Sequence, residues 1–456
     1  MTERLPVDVD SREHTHAPGE DCWICRHEVP FSLPEQVVEA AMAGRLVVFA
    51  GAGISTESRT TFPVSFYESV CDSIGLEPED GPPFETVMSQ FCERYSRSQL
   101  LQAIRSRIEY CSSYPGVYRM ATRFHHELST IHLVKEVVTT NWDDFFEKEC
   151  GAIPMVVAAD YAFWDLPQRK VFKIHGSLNN VGSIVATEDD YRRCYRNLRS
   201  GVLGATLKHL LATKTVLFVG FSFSDPDFGR IYRLLQRQLG DVLPPQFIVT
   251  RGGTELAARF PAATVIDTDG TFFVSTLKNE LVARGAMLPD ENLVRAGAMY
   301  AKVADEHIRF THMVDVKEHP EAAYAAAYQD GLRDAFARIL ALANTGFYSD
   351  RENILGIIDA YDRAEREKRR AREYGSVAYI EGFVNGHVYL LDDEEDSAGL
   401  PLYFIHGCVK ELLTFDDYAD MAGRAHELHK TAFRYAERAA RRLEPGVTVL
   451  HHPPFL

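Results

Sequence analysis

Between residues 34 and 285 the chain alternates short runs rich in Val, Ile and Phe with longer stretches of helical spacing. This alternation constrains the fold more than any other feature. The runs are LVVFA (46–50), EVVTT (136–140), VFKIH (171–175), TVLFVG (215–220), QFIVT (246–250) and TVIDT (264–268). Segments such as YRMATRFHHELST and FGRIYRLLQRQLG lie between them. Apolar strands separated by helices imply a parallel sheet covered on both faces. The right-handed crossover rule turns that into a doubly wound α/β layout. Ligands of such sheets sit at the carboxyl ends of the strands.

After about residue 286 the pattern changes. EHPEAAYAAAYQDGLRDAFARILALAN, RENILGIIDAYDRAEREKRRAREYG and DDYADMAGRAHELHKTAFRYAERAARRL carry apolar residues three and four apart, which predicts an all-helical C-terminal domain. An acidic loop, DDEEDSAGLP (392–401), separates two of these segments. The expected organisation is a polar leader (1–33), an α/β domain (34–285) and a helical regulatory or assembly domain (286–456).

The formal net charge of −16 argues against direct nucleic-acid binding. No apolar run approaches the ~20 residues that span a bilayer, and the polar N-terminus has no signal-peptide core. Apart from Cys22 and Cys25 the eight cysteines are scattered, as expected of reduced thiols in a cytoplasmic protein.

Four predicted strand ends carry unusual residues. LVVFA runs into GAGIS, where Gly51 and Gly53 remove the Cβ atoms that would block a ligand. A helix starting after Ser55 would aim its N–H groups at the same space, a site suited to phosphate. A tight strand–helix turn without a ligand explains the glycines as well. VVTTNWDD puts Thr139, Thr140, Asn141 and Asp143 beyond the second run, FKIHGSL puts His175 and Gly176 beyond the third, and LFVGFSFSDPD puts Gly220, Ser222, Ser224 and Asp225 beyond the fourth. Singly, such residues are turn formers or helix caps. Together they gather on one edge of a parallel sheet. A dehydrogenase fingerprint fails at two points: Thr56 stands where a third glycine belongs, and VCDSIGLEPE (70–79) is not a second strand.

The ordered set GAGIS, TTN-x-D, K-x-HG and strand-G-x-S resembles the sirtuin-like family, a Rossmann variant. ATEDDY (186–191) and GFSFSDPDF (220–228) are similar to its bacterial antiphage-defence branch of NAD hydrolases. The resemblance implies that NAD is the substrate, cleaved to nicotinamide and ADP-ribose. It implies that Gly51, Ala52, Gly53 and Ile54 approach the pyrophosphate, that Ser55 and Thr56 donate to it, and that Gly220, Ser222 and Thr250 hold the adenosine side. Thr140 joins the cofactor-binding set. Asn141 would hold the nicotinamide ribose and an attacking water, Asp143 would meet the carboxamide, and His175 would be the general base. Phe62, Ser65 and Phe66 are candidates to line the nicotinamide pocket.

A deacylase of this fold carries a zinc module of two cysteine pairs after the His–Gly strand. Here only Cys194 lies between His175 and Gly220, which ranks deacylation below hydrolysis. A third reading is a non-catalytic module binding NAD or ADP-ribose. The family further implies a homo-oligomer and a defence-system partner, whether an ATPase, an Argonaute-like protein or a phage trigger. His14, His16, Cys22, Cys25 and His27 form half of a zinc pattern near the N-terminus. A metal-free, reduced leader is the favoured expectation there, because the second ligand pair lacks standard spacing. No other metal ligands are expected.

Overall fold

A computed structural model of the chain describes residues 27–58, 61–78, 81–221, 236–253, 256, 260, 262–392, 399–443 and 450–454. These fall into two compact units, the first built on residues up to Met287 together with Asn344–Gly346, and the second on Leu288–Ala343 and the residues from Phe347 onward.

The first unit is organised around seven parallel strands: β1 (Leu46–Ala50), β2 (Glu136–Thr139), β3 (Ile153–Met155), β4 (Lys170–Lys173), β5 (Thr215–Val219), β6 (Gln246–Thr250) and β7 (Thr264–Asp267). Their order across the sheet is β3-β4-β2-β1-β5-β6-β7. Every residue of β1 and of β5 is buried. The period-two geometry of a strand explains why these runs are continuously apolar. Leu46, Val48 and Ala50 join one core cluster together with Val37, Phe124, Leu128, Phe273 and Leu277. Val47 and Phe49 join another, on the opposite face, with Leu198, Leu207 and Leu211. Helices Glu35–Met42, Pro115–Ser129 and Gly270–Ala283 thus cover one face, and Glu188–Ser200 and Val202–Thr213 the other.

Six of these strands coincide with the runs read from sequence, each ending within two residues of its run. The seventh, β3, is a three-residue edge strand with Pro154 at its centre. Its length and its proline hide it from a pattern search, and an edge is where proline is tolerated. The segment from 70 onward closes helix Phe66–Ile74, which ends in a left-handed Gly75. That helix packs with Phe84–Arg94 and Arg97–Ser113 around Val70, Val87, Met88, Leu100 and Ile104.

The second unit is helical: Asp290–Met313, Ala322–Leu342, Arg351–Ala371, Tyr374–Leu391 and three shorter helices between Phe415 and Ala440. Among the described residues no helix is long and apolar enough to cross a membrane.

Candidate active site

The central strands end level with one another. Ala50 is in register with Thr139 and with Val219, and Thr139 with Lys173. Gly51, Asn141, His175 and Gly220 therefore all emerge at one rim. Chain order reverses there, because β2 lies on one side of β1 and β5 on the other. This is the switch point at which open α/β sheets bind ligands. A cleft of about 1130 Å³ opens at the rim, larger than the ~300–1,000 Å³ typical of drug-sized ligands.

The glycines have a cause nearer than a ligand. A Cβ on Gly51 would lie 2.4 Å from the Gly220 carbonyl oxygen, and one on Gly53 2.9 Å from it. Gly220 itself sits at φ +60°, and a Cβ there would lie 2.6 Å from the Ile54 nitrogen. The Gly51 N–H donates to the Val219 carbonyl and the Gly53 N–H to that of Gly220. The turn after β1 is thus locked, backbone to backbone, onto the end of β5. Among the described residues no helix starts directly after Ser55. Ala52–Ile54 form a single 3₁₀ turn, and the next helix begins at Phe66 behind a Ser65 capping box. A helix dipole therefore contributes nothing at this loop. What the loop offers a ligand is close approach.

Ser55 also differs from expectation. It is fully buried and does not face the cleft as a pyrophosphate donor. Its hydroxyl donates to Asp143 Oδ2 at 3.2 Å and accepts from Asn141 Nδ2 at 3.2 Å. The Asn141 N–H donates to Thr139 Oγ1 at 3.0 Å, and that hydroxyl donates to the Ala50 carbonyl at 2.9 Å. These bonds tie the β1 and β2 loops together and fix the Asn141 amide: with its NH₂ committed to Ser55, the oxygen must point away. Asn141 Oδ1 is buried and has no hydrogen-bond partner among the described residues. A buried acceptor left this way is costly unless a ligand satisfies it. Burial pushes the Asp143 carboxyl above its ordinary range, opposed by the Lys173 ammonium and by hydrogen bonds from the Phe145 N–H and Ser55. Lys173, fully buried on β4, donates to the Asp143 carbonyl and pairs with Glu147 at 3.0 Å.

His175 lines the cleft with its ring edge-to-face on Tyr191, centroids 5.0 Å apart. Gly176 follows at φ +81°, where a Cβ would lie 2.2 Å from the Ser183 carbonyl oxygen. Of the remaining candidates, Ala52, Ile54, Thr56, Thr140, Asp143 and Thr250 also line the cleft. Ser222, like Ser224, Asp225, Cys22 and Cys25, lies outside the described residues. Phe66 lines the cleft. Ser65 instead caps its helix, and Phe62 lies under the Arg107 guanidinium, 3.9 Å from ring centroid to Cζ.

Sequence reading missed Arg107 and Glu57. Arg107 pairs with Glu57 at 3.1 Å and donates to the carbonyls of Thr56 and Val64 at 3.0 and 2.9 Å. It pins the segment after GAGIS from a helix some fifty residues away, and nothing local announces that contact. Trp142 lines the cleft too, with a buried indole N–H that has no partner among the described residues.

A family profile described as SIR2-like domain matches residues 135–268, from just before β2 to just after β7. Among curated proteins it is similar to NAD(+) hydrolase ThsA of Enterococcus faecium, 27% identical over 227 residues, which are 48% of this chain and 46% of that protein. It is 25% identical over 215 residues to NAD(+) hydrolase ThsA of Cytobacillus dafuensis, covering 46% and 41% of the two chains. Defense-associated sirtuin 2 of Bacillus subtilis is 20% identical over 256 residues, 54% of this chain and 24% of that protein. The chain thus spans less than half the length of the curated relatives it matches.

Proposed function

We propose that the protein hydrolyses NAD to nicotinamide and ADP-ribose and serves as an NAD-depleting effector of antiphage defence. The observation that carries this reading is Asn141, held by Ser55 so that a buried acceptor with no partner among the described residues shares one cleft with His175. Breaking the bond between nicotinamide and ribose releases a neutral leaving group and builds positive charge at the ribose carbon. Water supplies the oxygen of the new bond and loses a proton. Asn141 Oδ1 accepts a hydrogen bond from that water or from a ribose hydroxyl. His175 takes the proton, a task suited to an imidazole near neutral pH. The turn from Gly51 to Thr56 and the rim at Gly220 and Thr250 receive the pyrophosphate and the adenosine side. Asp143 orients Ser55 and, through it, Asn141. The relatives named NAD(+) hydrolase favour hydrolysis over deacylation, as does the lone Cys194.

The same reading makes the protein a cytoplasmic homo-oligomer held inactive until a defence partner or phage trigger engages it, with the helical unit as the seat of control. The free thiols of Cys71, Cys92, Cys111, Cys150, Cys194 and Cys408 suit a reducing compartment.

The test follows nicotinamide release from NAD, with and without an acetylated peptide, in parallel with NAD binding. Wild type is expected to release nicotinamide without peptide. His175→Ala is expected to lose about 10²–10⁴ in kcat while still binding NAD, and Asn141→Ala to lose turnover as well. Release that depends on the peptide would make the protein a deacylase. Unimpaired turnover in both variants would remove Asn141 and His175 from the chemistry.

A further inference from the structure

Far along the chain from the cleft, in the helical unit, three side chains aim one donor atom each at a common point. His307 lies on helix Asp290–Met313, Asp330 on helix Ala322–Leu342, and His451 in the C-terminal segment. His307 Nε2 is 3.3 Å from His451 Nδ1 and 3.3 Å from Asp330 Oδ1, and His451 Nδ1 is 3.3 Å from the same oxygen. The three atoms form an equilateral triangle. A tetrahedral zinc ion about 2.0–2.1 Å from its nitrogen and oxygen donors holds them about 3.3–3.4 Å apart. The triangle has that edge.

Hydrogen bonding around the triangle prepares it for a cation. Gln329 Nε2 donates to the Leu402 carbonyl at 3.0 Å, so its Oε1 turns to His307 Nδ1 at 3.1 Å. An acceptor there requires Nδ1 to carry the proton, which leaves the Nε2 lone pair facing the triangle. A carbonyl on the far nitrogen of an imidazole is the usual outer partner of a metal-binding histidine. Asp330 is oriented likewise, its Oδ2 accepting the His452 N–H at 2.9 Å. Arg333, 3.5 Å from Asp330 Oδ1 and partly exposed, is the neighbouring charge that an ion would displace. Two imidazoles and one carboxylate select a borderline transition ion over Ca²⁺ or Mg²⁺.

We infer that His307, Asp330 and His451 form a site for a divalent transition metal of the zinc type, which fastens the C-terminal segment to the helix pair, with water as fourth ligand. The inference is independent of the proposed NAD chemistry. Its test uses the full chain carrying Cys22→Ser and Cys25→Ser, so that the N-terminal thiols cannot report. The protein is stripped with a chelator and titrated with Co²⁺, then Zn²⁺, with visible absorption and thermal melting as readouts. One equivalent of cobalt is expected to give the intense visible bands of a four-coordinate site, and zinc to raise the melting temperature. His451→Ala, whose side chain is more than half exposed, should fold and bind cobalt at least tenfold more weakly. Gln329→Leu should weaken binding about 10–100-fold. His426→Ala, on an exposed histidine elsewhere in the unit, should bind as the parent does. Failure of the parent chain to take up cobalt at micromolar concentration, or equal uptake by His451→Ala, would overturn the assignment.

Discussion

His125, on helix Pro115–Ser129, is completely buried against Phe146 and Phe145, with centroids 4.4 and 5.8 Å away. Neither ring nitrogen has a hydrogen-bond partner among the described residues. Burial, aided by the nearby Lys173 charge, lowers its pKa from 6.5 to about 3. In the unfolded chain the same imidazole takes up a proton below about pH 6.5. Between those values the unfolded state binds more protons than the folded one, so stability falls as pH falls through 6.5 toward 3. The contribution is about 1.4 kcal/mol per pH unit. His125→Leu keeps the volume and removes both the unsatisfied nitrogens and the titration. Denaturant melts should show the variant more stable than wild type at pH 5, by more than at pH 7.5. An equal difference at both pH values would mean that His125 is protonated in the fold. In the cleft, residue identity was more legible than residue role. Asn141, Asp143 and His175 stand out as polar groups ending apolar runs. Ser55 reads as a phosphate donor only until its hydroxyl is seen committed to Asn141 and Asp143. Arg107 has no local signature at all, because its partners, the Glu57 carboxylate, the Phe62 ring and the carbonyls of Thr56 and Val64, are all distant in sequence.

At the scale of elements, the strand runs were legible because both sides of each strand are buried and no polar alternation blurs them. The turn after β1 was half legible. Its glycines were visible, but the neighbour that requires them is the end of β5, about 170 residues on, so sequence alone could not tell a ligand from the chain itself. Gly220 is where the two demands can be separated. Alanine there pays for a left-handed backbone, about 1–2 kcal/mol, and for a Cβ driven against the Ile54 nitrogen, about 1–3 kcal/mol more. Gly44 has nearly the same φ, +62°, but open space around its missing Cβ. Gly44→Ala should therefore cost only the backbone part and leave nicotinamide release intact. Gly220→Ala should be destabilised further and raise KM for the proposed substrate, NAD, since the rim at β1 and β5 must separate. Matching losses in the two variants, by melting and by steady-state kinetics, would mean that the close approach at Gly220 carries no energy of its own.

At the scale of the molecule, each large core cluster draws its residues from one unit alone: those flanking the sheet end at Met287, and the main helical cluster begins at Leu288. Three- and four-residue periodicity made the helical character of the second unit legible, but not which helices touch, since many alanine-rich faces are interchangeable in sequence. The structure resolves this through two glycines. Helices Ala322–Leu342 and Tyr374–Leu391 approach so closely that a Cβ on Gly331 would lie 2.0 Å from the Tyr379 carbonyl oxygen, and one on Gly382 2.0 Å from that of Tyr328. Neither contact can be relieved by rotating a side chain, because the obstacle is backbone. Gly382→Ala must push the helices apart along a seam at Tyr328, Leu332 and Ala335, all buried, and the lost packing outweighs the gain in helix propensity. A net loss of about 1–3 kcal/mol follows. Native-state hydrogen exchange on the full chain locates it. Amides of 322–342 and 374–391 should exchange faster in the variant, while those of β1 and β5 keep wild-type protection. Protection lost equally from the sheet would show that the two cores unfold as one.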